Sequence, residues 1–168
     1  DEKKAAAYPE AEEIFHRAGE NFEEVYTFLS KDENPNRKKL LFSLALKDAK
    51  DLKASVLEDH LDCEQGDLPE EIFRKDLLCP RIFLEELTPY RSMIREFFEE
   101  ETKRSFAEQP ERILDYLKKN ITFHAEEEYD TIMATPVGVL TMKQGSPLAQ
   151  KILFVAICRS LNVAARLN

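Results

Sequence analysis

Apolar residues recur at three- and four-residue intervals along most of this chain, the spacing of one face of an α-helix, and strand-like alternation is scarce. Ile14, Phe15, Ala18, Phe22, Val25, Phe28 and Leu29 form one stripe. The segment from Asp32 to Asn36, with Pro35 in it, predicts where that helix ends. A second helical stretch is expected from Arg37, its apolar face carried by Leu40, Leu41, Leu44 and Ala45 and continued by Leu52, Val56 and Leu57. Cys63 to Leu68, with Gly66 and Asp67, is the clearest internal break and a linker candidate, before Pro69 opens a short helical pattern through Ile72, Phe73 and Leu77.

Thr88-Pro89 reads as a hydroxyl N-cap followed by a first-turn proline, with Ile94, Phe97 and Phe98 as the buried face behind it. Pro110 opens another helix, in which Ile113, Leu114 and Leu117 are expected inside and Lys118 and Lys119 suit the negative end of the helix dipole. After Asn120 the pattern changes. Ile121 and Phe123 alternate with polar residues, an acidic run follows at Glu126 to Glu128, and Thr135-Pro136-Val137-Gly138 reads as a loop, so a short strand or two is expected there. From Ser146-Pro147 the pattern is helical again to about Leu161, with Leu148, Ile152, Val155, Ala156 and Leu161 facing inward. There is no internal repeat and no low-complexity segment.

Composition sharpens this picture. Only four glycines occur in 168 residues, and a 43% hydrophobic content supplies a core for one ordinary domain. Asp and Glu number 33 against 24 Lys and Arg, a net charge of −9. That balance argues against a nucleic-acid partner, whose phosphates call for a basic surface, and against an anionic membrane surface. No apolar run approaches the roughly 20 residues that span a bilayer; the longest, Ile152 to Ile157, is far shorter. The chain opens at Asp1 without a methionine, so a segment is expected upstream of it.

Residues that could carry chemistry are few. Cys63, Cys79 and Cys158 lie far apart with no C-x-x-C pair, so free, partly buried thiols are expected ahead of a Cys63–Cys79 disulfide, and no metal or cofactor is expected. Glu126, Glu127, Glu128 and Asp130 offer oxygen ligands without the glycine-turned spacing of a calcium loop, and a solvated acidic loop is the reading adopted. His124 beside them is expected to be half-exposed on a strand edge. Glu85, Glu86, Glu96, Glu99, Glu100 and Glu101, with Lys103 and Arg104 close by, read as a salt-bridged exposed face.

The stretch from Gly145 to Arg166 resembles the core helix of the transglutaminase-like superfamily, a branch of the papain-like fold. In that family a helix that starts at the nucleophilic cysteine runs through small and apolar residues into Arg-x-Leu-Gly-Ile-Pro-Ala-Arg. Here Arg159-Ser160-Leu161-Asn162-Val163-Ala164-Ala165-Arg166 matches that ending, with Asn162 for the glycine, which still permits a left-handed cap, and Ala164 for the proline. Pro110 to Asn120 followed by Ile121-Thr122-Phe123 looks like the family's helix-then-strand approach, so the resemblance covers residues 109–168. Upstream, the chain resembles more loosely the helical N-terminal part of large secreted transglutaminase-like proteins of gut-type bacteria, which implies an extracytoplasmic location, periplasmic or at the cell surface.

The resemblance places the nucleophile twelve residues before Arg159, and Pro147 stands there. Ser146 is the remaining candidate, but a hydroxyl needs a base within hydrogen-bond reach, and the family's His and Asp would lie beyond Asn168. His16, His60 and His124 all fall upstream. Cys158, eleven residues past the motif position or about 16 Å along a helix, is too far to substitute and suits an inward-facing small hydrophobe.

The expected fold class is therefore mainly α: a helical array over residues 1–108, then an incomplete transglutaminase-like (α+β) core over 109–168. The expected function is a non-catalytic interaction or scaffold segment, a pseudoenzyme meeting a protein or a glycan. Two alternatives stand beside it: a divergent peptidase or amide hydrolase completed by residues downstream of the chain, and a plain helical binding module. The C-terminal helix, apolar nearly all round, is expected to be covered by a second copy or by the N-terminal helices.

Overall fold

The computed structural model describes residues 2–123 and 134–168. Helices dominate it: α1 (Glu2–Ala6), α2 (Glu12–Ala18), α3 (Phe22–Ser30), α4 (Asn36–Ser43), α5 (Ala54–Glu58), α6 (Glu70–Ile72), α7 (Tyr90–Phe97), α8 (Glu100–Glu108), α9 (Glu111–Asn120), α10 (Pro136–Met142) and α11 (Pro147–Ser160). A mainly α fold is thus observed. The first apolar stripe is divided between α2 and α3, because Gly19 turns the chain at φ +56°, a value that favours glycine. The stretch expected to run on from Arg37 is likewise broken. Ser43 ends α4, a 3-10 turn spans Leu46–Lys50, and α5 follows separately. Long-range hydrogen bonds hold these short pieces: Asn21 Nδ2 donates to Ala49 O and Leu52 O at 2.8 and 2.9 Å, and the Ala54 N–H donates to Glu24 Oε1 at 2.7 Å.

Among the described residues the buried apolar side chains form two clusters. The first joins α2 to α5 with the π-helical turn Phe73–Leu78 that continues α6, around Phe28, Leu40, Leu57, Phe73, Leu77 and Leu78. The second joins α7 to α11, around Tyr90, Ile94, Ile113, Leu140, Leu153 and Ile157. Phe98, Phe106 and Tyr116 pack edge-on or tilted at its rim. Ile113 and Leu117 are buried as the periodicity predicts, whereas Leu114 stands 46% exposed.

Among the described residues, strand structure is limited to β1 (Thr122–Phe123) and β2 (Gln144–Gly145), paired in parallel as Thr122↔Gln144 and Phe123↔Gly145. Thr135-Pro136-Val137-Gly138, read above as a loop, is instead the start of α10. Thr135 Oγ1 accepts the Gly138 N–H at 3.2 Å and Pro136 needs no N–H in the first turn. The Thr88 reading is corrected too: its hydroxyl is buried without a partner, and the cap of α7 comes from Asp59, whose Oδ2 accepts the Arg91 N–H at 2.8 Å and the Ser92 N–H at 3.2 Å.

The α11 helix has nine buried residues, from Ala149 to Ser160, covered largely by α7, α9, α10 and the turn Phe73–Leu78. The chain's own helices thus cover most of its apolar surface, leaving Leu148 and Phe154 half-buried. Its end is a Schellman turn: Asn162 takes φ +63°, its N–H donates to Arg159 O at 3.3 Å, and the Val163 N–H donates to Cys158 O at 2.9 Å. Asn162 also clasps the loop after Cys63, accepting the Glu64 N–H at 2.9 Å and donating to Glu64 O at 3.1 Å.

Candidate functional site

The position the family pattern gives to a nucleophile is the first turn of α11. Ser146 (φ −65°, ψ 166°) is its N-cap: the hydroxyl accepts the Ala149 N–H at 3.1 Å, and Pro147 follows, exposed, in the first helical position. A serine and a proline at this spacing start a helix for elementary reasons, one satisfying an orphan amide and the other having none to satisfy. Gln150 Nε2 closes the turn by donating to Gly145 O at 2.9 Å.

Beside this turn lies an open groove of about 540 Å³ between α9, α11 and the final segment. Leu114, Leu148 and Phe154 give it an apolar floor, and Lys118, Lys151 and Arg166 stand around it. Among the described residues no His, Cys, Asp or Glu lines it. His16 is exposed on α2, His60 is fully buried elsewhere, and His124 with the run Glu126–Glu128 and Asp130 lies outside the described residues. Nor does any group of three or more His, Cys, Asp and Glu among the described residues form a metal site.

All three cysteines are free and buried, as expected. Cys158 is 1% exposed, and burial pushes its thiol up to about 12, so little thiolate forms at neutral pH. Of the carboxylates expected on an exposed face, Glu96, Glu99, Glu100 and Glu101 are there, and Glu100 pairs with Lys103. Glu85 is not. It is 1% exposed and caps its own loop, accepting the Ile82 and Phe83 N–H groups at 2.8 and 2.7 Å.

Among the described residues the densest polar chemistry lies between the two clusters, around Arg91, to which the sequence pattern assigned no role. Arg91, 0% exposed, donates from Nε to His60 Nδ1 at 2.7 Å, from Nη1 to Cys63 Sγ at 2.8 Å and Arg159 O at 3.2 Å, and from Nη2 to Leu77 O and Leu78 O at 2.7 and 3.0 Å. His60 Nε2 lies 2.8 Å from Thr88 O, so with Nδ1 accepting from Arg91 the ring is the neutral tautomer that carries its proton on Nε2. Burial, and then the Arg91 charge, hold it neutral well below the usual imidazole range.

Arg159, the arginine that ends the core helix, braces the same junction. It donates to Ala165 O from Nε and Nη2, and from Nη1 to Cys79 O and Arg81 O at 2.8 and 3.0 Å. One signal for Arg91 is present in the sequence: it falls three and seven residues before Ile94 and Phe98, which puts a guanidinium on the buried face of α7.

Residues 91–168 match the model of the transglutaminase-like superfamily core. The resemblance read from residues 109–168 is therefore shown, and the matched segment opens upstream of it, at Arg91 itself. No curated protein and no solved structure matches the chain.

Proposed function

We propose that this transglutaminase-like segment is non-catalytic, an interaction or scaffold element of an extracytoplasmic bacterial protein whose core lacks the nucleophilic cysteine. The observation that carries this reading is the chemistry at the start of α11. Pro147 has no nucleophilic atom, and the neighbouring hydroxyl of Ser146 is engaged as a helix cap. A serine activated for attack needs a base oriented on its oxygen. The groove beside Ser146 offers lysines and an arginine, with no imidazole or carboxylate among its described lining residues. The partner such a role calls for is a protein or a glycan, and the extracytoplasmic location rests on the looser likeness of the N-terminal helices to secreted proteins.

The test is an assay of the purified chain for amide hydrolysis, acyl transfer to amines and protein cross-linking, alongside Ser146→Ala and Ser146→Asp. No turnover is expected from any of them. Asp preserves the cap that Ala removes. Activity that is present in the parent chain and absent from both variants would assign Ser146 a chemical role and overturn the proposal.

A further inference from the structure

We propose that His60 is an acid-operated latch between the two hydrophobic clusters, closed while Nδ1 accepts from Arg91 and opened when that nitrogen takes a proton. Closed, the imidazole needs a lone pair on Nδ1 for the Arg91 Nε–H at 2.7 Å and an N–H on Nε2 for Thr88 O at 2.8 Å, and only the neutral ring supplies both. A proton on Nδ1 sets two N–H donors against each other and adds a second cation beside a fully buried guanidinium.

The other groups around the ring do not offset this. Arg91, Arg95 and Tyr90 face it from α7, with the Tyr90 ring edge-on at 4.7 Å, and Arg159 acts on it from α11. On its own segment, Asp59 is engaged with the Arg91 and Ser92 N–H groups. Asp62 points to solvent with its side chain 91% exposed, and the Cys63 thiol is pushed up by burial. None of these is an anion placed to receive an imidazolium. The proton therefore has to be accommodated by separating His60 from Arg91, and Arg91 is what ties Leu77 and Leu78 of the first cluster to the second.

The sign follows from linkage. His60 is held below its ordinary value of about 6.5 in the closed state and regains it when the junction opens. Closure is thus fully supported above that value and weakens as pH falls below it, the opening equilibrium rising about tenfold per pH unit. Hydrogen exchange on the full chain, corrected for intrinsic rates and run between pH 6.5 and 5, reads this at the Ala165 amide, which spans the junction to Asp76 O at 2.9 Å, with the Leu117 amide as reference. The expected result is a rise of about 15-fold across that range at Ala165, little change at Leu117, and a flat profile in His60→Asn, whose Oδ1 keeps an acceptor that does not titrate. A flat profile in the parent chain, or the same slope in the variant, would overturn the latch. Should His60→Asn not fold, the ¹⁵N shifts of His60 decide alone: a neutral Nε2–H ring that persists well below the ordinary imidazole value of about 6.5 supports the latch, and protonation near that value in the folded chain sinks it.

Discussion

Replacing Arg91 separates two accounts of what a buried cation does in this fold. If charge is what matters, Arg91→Lys should be the mild change; if the planar fork of donors matters, Arg91→Met should be no worse than Lys and should be the milder of the two. The structure favours the fork. Removing the guanidinium orphans Leu77 O, Leu78 O and His60 Nδ1, whereas Cys79 O keeps its bond from Arg159. Buried acceptors left unmade cost about 1–3 kcal/mol each. Met offsets part of that by removing a charge whose burial itself costs several kcal/mol, so a net loss of about 3 kcal/mol is expected. Lys retains the charge but offers three donors on one atom, too few and too close together to serve His60 on one side and the 77–78 carbonyls on the other. Its loss should approach about 5 kcal/mol. Against a net stability of about 5–15 kcal/mol either change is severe. Urea unfolding reads the difference directly: at a slope of about 2 kcal/mol per molar, the Met variant should lose about 1.5 M in midpoint and the Lys variant more. A Lys variant within 0.5 M of the parent would refute the reasoning.

Two further outcomes follow from packing. Cys158, buried with its thiol pushed up to about 12, should react with an aromatic disulfide reagent only at the rate of global unfolding; fast labelling of the native chain at Cys158 would contradict the burial. Gly145→Ala places a Cβ 2.9 Å from Val139 Cγ1, so a loss of about 1–3 kcal/mol is expected, and Val139→Ala in the same chain should recover part of it; a strictly additive double mutant would show that the clash is not the cause.

The helices that pack an amphipathic face were legible from spacing alone, and Ser146-Pro147 and Asn162 marked the two ends of α11 because caps are local chemistry. What spacing could not show is anything supplied from a distance. The cap of α7 comes from Asp59, more than thirty residues away, so Thr88-Pro89 gave the right boundary for the wrong reason. Thr135-Pro136-Val137-Gly138 contains residues common to loops, and only the bond from Gly138 N–H to Thr135 Oγ1 turns it into a helix start. Leu114 has the right periodicity and the wrong environment, since it faces the groove. At the candidate site, Pro147 was readable by counting back from Arg159. Glu85 and His60 were not, because each looks like an ordinary surface residue until the loop or helix that buries it is in place.

The junction also bears on how the matched segment can function. Arg91 opens that segment, yet most of its side-chain acceptors (His60, Cys63, Leu77 and Leu78) lie before it in the chain. Arg159 reaches back in the same way to Cys79 O and Arg81 O, while the Ala165 N–H donates to Asp76 O. Two buried guanidiniums facing backbone carbonyls have donors that must be satisfied, and here the helical array satisfies them. The core helix is consequently fixed at its C-terminal end by residues from outside the matched segment, and its capped N-terminal turn borders the open groove. On the non-catalytic role proposed above, a helix anchored at one end and accessible at the other would present its open end to the partner, with no chemistry asked of position 147.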